Sequence, residues 1–254
     1  MAAKLRAAGA LPIVVPAIEF CAPDDEPRAA AAIRDAASYA WVVFTSVHGV
    51  DAFFALRTHD ALGTHDALGT HDALGTHDAL GADGSLRAPG GFGAAKIAAI
   101  GAKTAARVAR FGASVDYLPG EAIEETLAAG LIERSAPEER ILIFRAQEAR
   151  QALPELLRAR GRVVDDVAGY ATRAVRDPAL AEAARDADVW TFTSGSTVRA
   201  LVENVPDARD LAAAKIVACI GPVTADVARA CGLPVHATAR AHDVDGLLAA
   251  LECV

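Results

Sequence analysis

The sequence predicts an α/β protein of two similar lobes, each with parallel sheets flanked by helices. Three observations carry this. Phe44-Thr45-Ser46 recurs as Phe192-Thr193-Ser194, each directly after an apolar run, Trp41-Val42-Val43 and Val189-Trp190-Thr191. Ile100-Gly101-Ala102-Lys103-Thr104-Ala105 recurs, in the same relative order, as Ile220-Gly221-Pro222-Val223-Thr224-Ala225. Leu5-Arg6-Ala7-Ala8-Gly9 pairs likewise with Leu157-Arg158-Ala159-Arg160-Gly161, each ahead of a Val-rich stretch. Strands alternating with helices imply parallel sheets with right-handed crossovers.

Taken in order, residues 2–8 read as a helix ending at Gly9, a left-handed cap. Residues 12–20 are extended, and 21–28, with two prolines and three acids, form a loop. A helix is expected over 29–39, a buried strand over 41–44, and a helix over 47–57 with Val50, Phe53 and Phe54 at helical spacing. Strand 96–100 precedes helix 103–110, stopped by Gly112; strand 114–118, helix 123–134, strand 141–144 and helix 149–160 follow. The run 163–172 is extended and mirrors 12–20. Helices are then expected at 178–186, 197–204, 223–231 and 243–251, and strands at 188–192, 215–220 and 233–237.

The length of 254 residues suits two lobes of about 100–130 residues, each able to bury a core. No apolar run reaches the roughly 18–20 residues of a membrane helix, and no basic-then-apolar leader opens the chain. A cytoplasmic protein with no membrane partner is expected. The four cysteines, Cys21, Cys219, Cys231 and Cys253, lack any C-x-x-C pair, so neither a zinc site nor a disulfide framework is indicated. Cys219 reads as a small buried hydrophobe. A net charge of −8 argues against nucleic acid as partner, yet leaves room for a small anion held by local dipoles. No G-x-G-x-x-G follows a strand, which argues against a dinucleotide-dependent dehydrogenase.

Four copies of Thr-His-Asp-Ala-Leu-Gly run from Thr58 to Gly81. One reading is a metal site built from His59, His65, His71 and His77. Six residues advance a helix by about 600°, so these histidines spiral round it rather than share a face. The favoured reading is tandem expansion in a tolerant surface loop, with no metal. Spacing supports it: Gly101 follows Thr45 by 56 positions, Gly221 follows Thr193 by 28, and the tract supplies 24 of the excess. The earlier half is also expected to be short of one strand and its turn. Ile141 precedes Gly161 by twenty residues, whereas only eight precede Gly9, and the chain is expected to start at an internal Met.

Thr45-Ser46 and Thr193-Ser194 at strand-to-helix turns put hydroxyls and backbone N–H groups at the carboxyl edge of a sheet, where open α/β sheets bind ligands. Gly101 and Gly221 permit close backbone approach or positive φ, and Thr104 and Thr224 fall in the first helical turn. Together these are four helix starts able to hold carboxylates around a shared cleft. The alternative for each Ser or Thr is a plain helix cap; the doubling of both motifs favours a ligand site. Arg145, ending a strand, is a candidate partner for a carboxylate, with a surface ion pair as the alternative.

The ordered set of both doubled motifs, with Tyr170 in Val167-Ala168-Gly169-Tyr170-Ala171-Thr172 between them, resembles the uroporphyrinogen-III synthase family. The likeness runs from about residue 2 to the last helix, broken only by the repeats. It implies two α/β lobes, 1–15 with 173–254 and 30–165, joined by a two-stranded connector, 12–20 and 163–172. It implies no cofactor, a monomer, and the linear tetrapyrrole hydroxymethylbilane as substrate. The implied reaction closes that chain to uroporphyrinogen III, inverting the last pyrrole ring and losing water. Tyr170 matches the tyrosine proposed as acid; its other reading is a half-buried strand tyrosine. Thr224, and less closely Thr104, match threonines that line the cleft. A non-catalytic or inactive two-lobed tetrapyrrole-binding relative is the alternative.

Overall fold

The computed structural model describes residues 1–62 and 92–252. The chain divides into two compact units: Phe20–Thr172, and Met1–Glu19 together with Arg173–Val254. Most of the Thr-His-Asp-Ala-Leu-Gly tract, and with it the question of a histidine metal site, lies outside the described residues.

The chain opens with a short helix, α1 (Ala2–Ala7), followed by Gly9 at φ 85°. The extended run 12–20 is regular strand only at its end, β1 (Ile18–Cys21). Then come α2 (Glu26–Arg34), β2 (Trp41–Phe44), α3 (Val47–Leu62), β3 (Lys96–Ala99), α4 (Ala102–Arg110), α5 (Glu124–Arg134), β4 (Arg140–Ala146), α6 (Ala152–Arg158) and β5 (Val163–Ala174). The expected strand 114–118 reduces to a single bridge, Ala98 to Tyr117.

Strands β1 to β5 form one sheet in the order β1-β5-β4-β2-β3. The pairs β2–β3, β2–β4 and β4–β5 are parallel, with Phe44 opposite both Ala99 and Phe144. All four residues of β2 are buried, as a strand covered on both faces requires. Its side chains alternate. Val42 and Phe44 join a core with Ile33 of α2 and Phe53 of α3, whereas Trp41 and Val43 join Leu127 of α5 and Leu157 of α6. The result is helices on both faces of a central sheet.

The other unit repeats the plan with α7 (Pro178–Asp186), β6 (Val189–Phe192), α8 (Gly195–Asn204), α9 (Ala208–Ala212), β7 (Ile216–Cys219), α10 (Pro222–Ala230), β8 (Ala237–Thr238) and α11 (Val244–Leu251). Helix α9 has no counterpart among the expected elements. The sheet order is β6-β7-β8, all parallel, with Phe192 opposite Cys219. Trp190, Phe192, Val217 and Cys219 pack with Val198 and Leu201 of α8 on one face; Ala218 meets Leu247 of α11 on the other. Burial pushes the Cys219 thiol up to about 11, so it is an inert hydrophobe. No helix of the described residues is long and apolar enough to cross a membrane.

Candidate active site

Parallel pairing sets the site's geometry. Because Phe44 lies opposite Ala99, the turns after β2 and β3 leave the same sheet edge side by side, and Ile100 N–H bonds the Phe44 carbonyl at 3.0 Å. The same step recurs in the other unit, where Ile220 N–H bonds the Phe192 carbonyl at 2.9 Å. Each unit therefore presents two adjacent helix starts, whose first N–H groups have no intrahelical acceptor.

The hydroxyls of the doubled turns are used differently. Ser46 Oγ accepts from Gly49 N–H at 2.9 Å and lies 3.0 Å from the Tyr170 hydroxyl. Ser194 Oγ accepts from Thr197 N–H at 3.3 Å, and Thr197 Oγ1 donates back to the Ser194 carbonyl at 2.7 Å. Thr193 is exposed and Thr45 half-buried.

Gly101 and Gly221 cap α4 and α10 at φ −160° and −179°, extended backbone open to any residue, so positive φ is not their use. Their use is close approach: a Cβ would lie 3.2 Å from Ala122 Cβ at Gly101 and 3.0 Å from the His242 ring at Gly221. Thr104 and Thr224, in the first turns of those helices, are only 4% and 6% exposed.

Arg145 differs from expectation. It is neither a surface ion pair nor presented to a ligand, being 1% exposed. Its guanidinium takes Asp166 in a fork, Nε to Oδ1 and Nη2 to Oδ2 both at 2.7 Å, and donates to the Arg150 carbonyl. Glu124, whose carboxyl is pushed up by burial, stands 3.8 Å away. The residue that ends a strand is covered here by the start of α5 and by β5.

Tyr170 sits just past an irregularity in β5. Arg145 pairs with Ala168 and Ala146 with Tyr170, so Gly169 is an extra residue. A Cβ there would lie 2.0 Å from the Phe144 ring, which only glycine avoids. The bulge re-aims Tyr170, whose ring lies edge-on to Phe20 at 5.6 Å and to His48 at 6.1 Å. Burial raises the phenol above its ordinary value, and the Ser46 hydroxyl opposes that rise. His48, packed on Phe20 at 3.9 Å, is held below the usual imidazole value by burial. Sequence reasoning misses His48 and Phe20 as site residues, although His48 stands two positions after Ser46.

A family model described as uroporphyrinogen-III synthase HemD matches residues 1–249. A uroporphyrinogen-III synthase of Synechococcus elongatus is 28% identical over 262 positions, spanning 99% of this chain and 89% of the relative. The porphyrin biosynthesis protein HemD of Ruminiclostridium josui is 25% identical over 89% of this chain and 40% of its own length. Among solved structures, a mutant uroporphyrinogen III synthase from Thermus thermophilus aligns with a TM-score of 0.61 at 21% identity, covering 99% of this chain and 92% of that one. Uroporphyrinogen-III synthetase from Helicobacter pylori aligns at 0.55 and 18%, covering 96% of each. The solved structures establish the two-lobed α/β fold, and the family model, matching nearly the whole length, settles membership: the chain belongs to the uroporphyrinogen-III synthase family.

Proposed function

We propose that Tyr170 is the proton donor with which this lyase starts ring closure of hydroxymethylbilane. The observation that carries the assignment is the phenol on the Gly169 bulge, hydrogen-bonded to the Phe-Thr-Ser turn at 3.0 Å. The terminal carbon–oxygen bond of the substrate breaks, its electron pair leaves on oxygen, and a proton from the phenol converts the departing group to water. A phenol raised above about 10 keeps its proton at neutral pH and is available to give it. The cation left behind is attacked by the substituted carbon of the last ring. The spiro intermediate then fragments and recloses, with that ring inverted, through the ring's unsubstituted carbon, whose lost proton restores the phenol. Ring closure without the enzyme gives the symmetrical isomer, so positioning a flexible polycarboxylate is the larger part of the task.

The helix starts at Thr45, Gly101, Thr193 and Gly221 are proposed to take substrate carboxylates, through backbone N–H groups and the Thr45 and Thr193 hydroxyls, the Ser194 hydroxyl being engaged with Thr197. Thr104 and Thr224 act in this reading by packing beneath those starts. Arg145 is left out because Asp166 occupies it. The working form is proposed to be a single chain. A tetrapyrrole-binding relative without activity is not favoured, since the matched family and the Synechococcus relative are synthases. The test is chromatographic separation of the oxidised products from fresh hydroxymethylbilane. Isomer III in excess from the parent, at a rate that falls steeply in Y170F, supports the proposal; isomer III from Y170F at the parental rate overturns it.

A further inference from the structure

We propose that Ser46 is a positioning residue for Tyr170, donating its own hydroxyl proton to the phenol oxygen so that the phenol proton is free for the substrate. The inference rests on the proton-donor reading above. Ser46 Oγ carries one hydrogen and two lone pairs. Gly49 N–H, which can only donate, fills one lone pair at 2.9 Å. Only one proton lies between Ser46 and Tyr170 across their 3.0 Å contact. If the phenol supplied it, the phenol would have nothing left to give. If Ser46 supplies it, three groups form a directed chain: Gly49 N–H to Ser46 O–H to Tyr170 O–H, ending on the phenol proton. Each bond in such a chain polarises the next, and the chain begins in the first turn of α3, at the positive end of its dipole.

Phe144 sets the spacing between the two hydroxyls. A Cβ at Gly49 would lie 3.0 Å from the Phe144 carbonyl and 3.2 Å from Ser46 Oγ, so the start of α3 is seated on the end of β4. The Phe144 ring in turn occupies the space that a side chain at Gly169 would need. Two glycines thus let one strand end hold the serine turn and the tyrosine bulge at hydrogen-bond distance. Donation from Ser46 favours the phenolate and offsets part of the effect of burial.

The test combines steady-state kinetics with ultraviolet difference titration of Tyr170, read as parent minus Y170F because Tyr39 and Tyr117 also absorb. S46A should lower kcat about tenfold, the scale of one lost hydrogen bond, and leave KM in place. It should also raise the pKa of the Tyr170 phenol, and S46T should restore both. S46G removes the hydroxyl while keeping a residue tolerated at a helix cap, and should match S46A. S46A/Y170F should be no slower than Y170F. Multiplying defects in the double variant, or an unmoved phenol titration in S46A and S46G, would overturn the role of Ser46. A Y170F enzyme at parental rate would instead remove the proton-donor reading, while the titration would still report on Ser46.

Discussion

The Thr45-Ser46 and Thr193-Ser194 turns have the same three-residue motif, the same place after a parallel strand and different hydrogen-bond partners. Ser194 is closed within its own turn, its side chain and carbonyl exchanging bonds with Thr197. Ser46 bonds its turn through Gly49 and still reaches Tyr170, a residue 124 positions away. The difference does not come from the turn. It comes from β4, which lies beside β2, and from β5 on the far side of β4, whose bulge brings Tyr170 to the same end of the sheet. A duplicated motif supplies two equivalent helix starts, and a bulge two strands away gives one of them a tyrosine partner.

Several substitutions would break or sharpen this contrast. The largest effect on the fold is expected at Arg145, whose removal leaves Asp166 half-buried and unpaired between β4 and β5. R145L should destabilise the protein by about 3–5 kcal/mol, measured by urea unfolding. A smaller loss would mean that Asp166 finds solvent. Gly169 comes next: G169A puts a methyl into the Phe144 ring and should cost about 1–3 kcal/mol. It should also lower kcat, because Tyr170 moves with the bulge. Unchanged kcat at reduced stability would separate the bulge from the chemistry.

The capping contribution of the two serines should be alike. S194A and S46A are each expected to lose about 1 kcal/mol of stability, yet only S46A should shift the Tyr170 titration. The smallest effect is pH-dependent stability from His48. Burial lowers its folded pKa, while the unfolded chain protonates near 6.5. As pH falls through 6.5 toward the lower folded value, the unfolded state takes up the proton first, so stability declines. Asp51 opposes that lowering and Arg107 adds to it. H48Q should flatten the decline, and an unchanged profile would show that His48 does not contribute.

What can be read along the chain is local. The order of elements, the strands at 41–44 and 189–192, and the four helix starts follow from apolar runs and turn residues that act on their immediate neighbours. What cannot be read depends on which strands become neighbours. Arg145 reads as exposed because it ends a strand, but Asp166 on β5 and Glu124 at the start of α5 close over it. Gly169 carries no periodic signal, since its meaning is the Phe144 ring on the adjacent strand. Tyr170 and Ser46 are both candidates from the sequence, whereas their contact with each other, and the packing of His48 and Phe20 on the tyrosine, join parts of the chain far apart. The run 12–20 has a strand's composition, yet only Ile18–Cys21 is regular strand.

The most direct measurement is the rate of uroporphyrinogen III formation by Y170F, with its unfolding midpoint determined alongside. A general acid contributes about 10²- to 10⁴-fold, so the rate should fall by that order while the fold is kept. A Y170F rate equal to the parent's, on a folded protein, would contradict the assignment of the phenol as the acid.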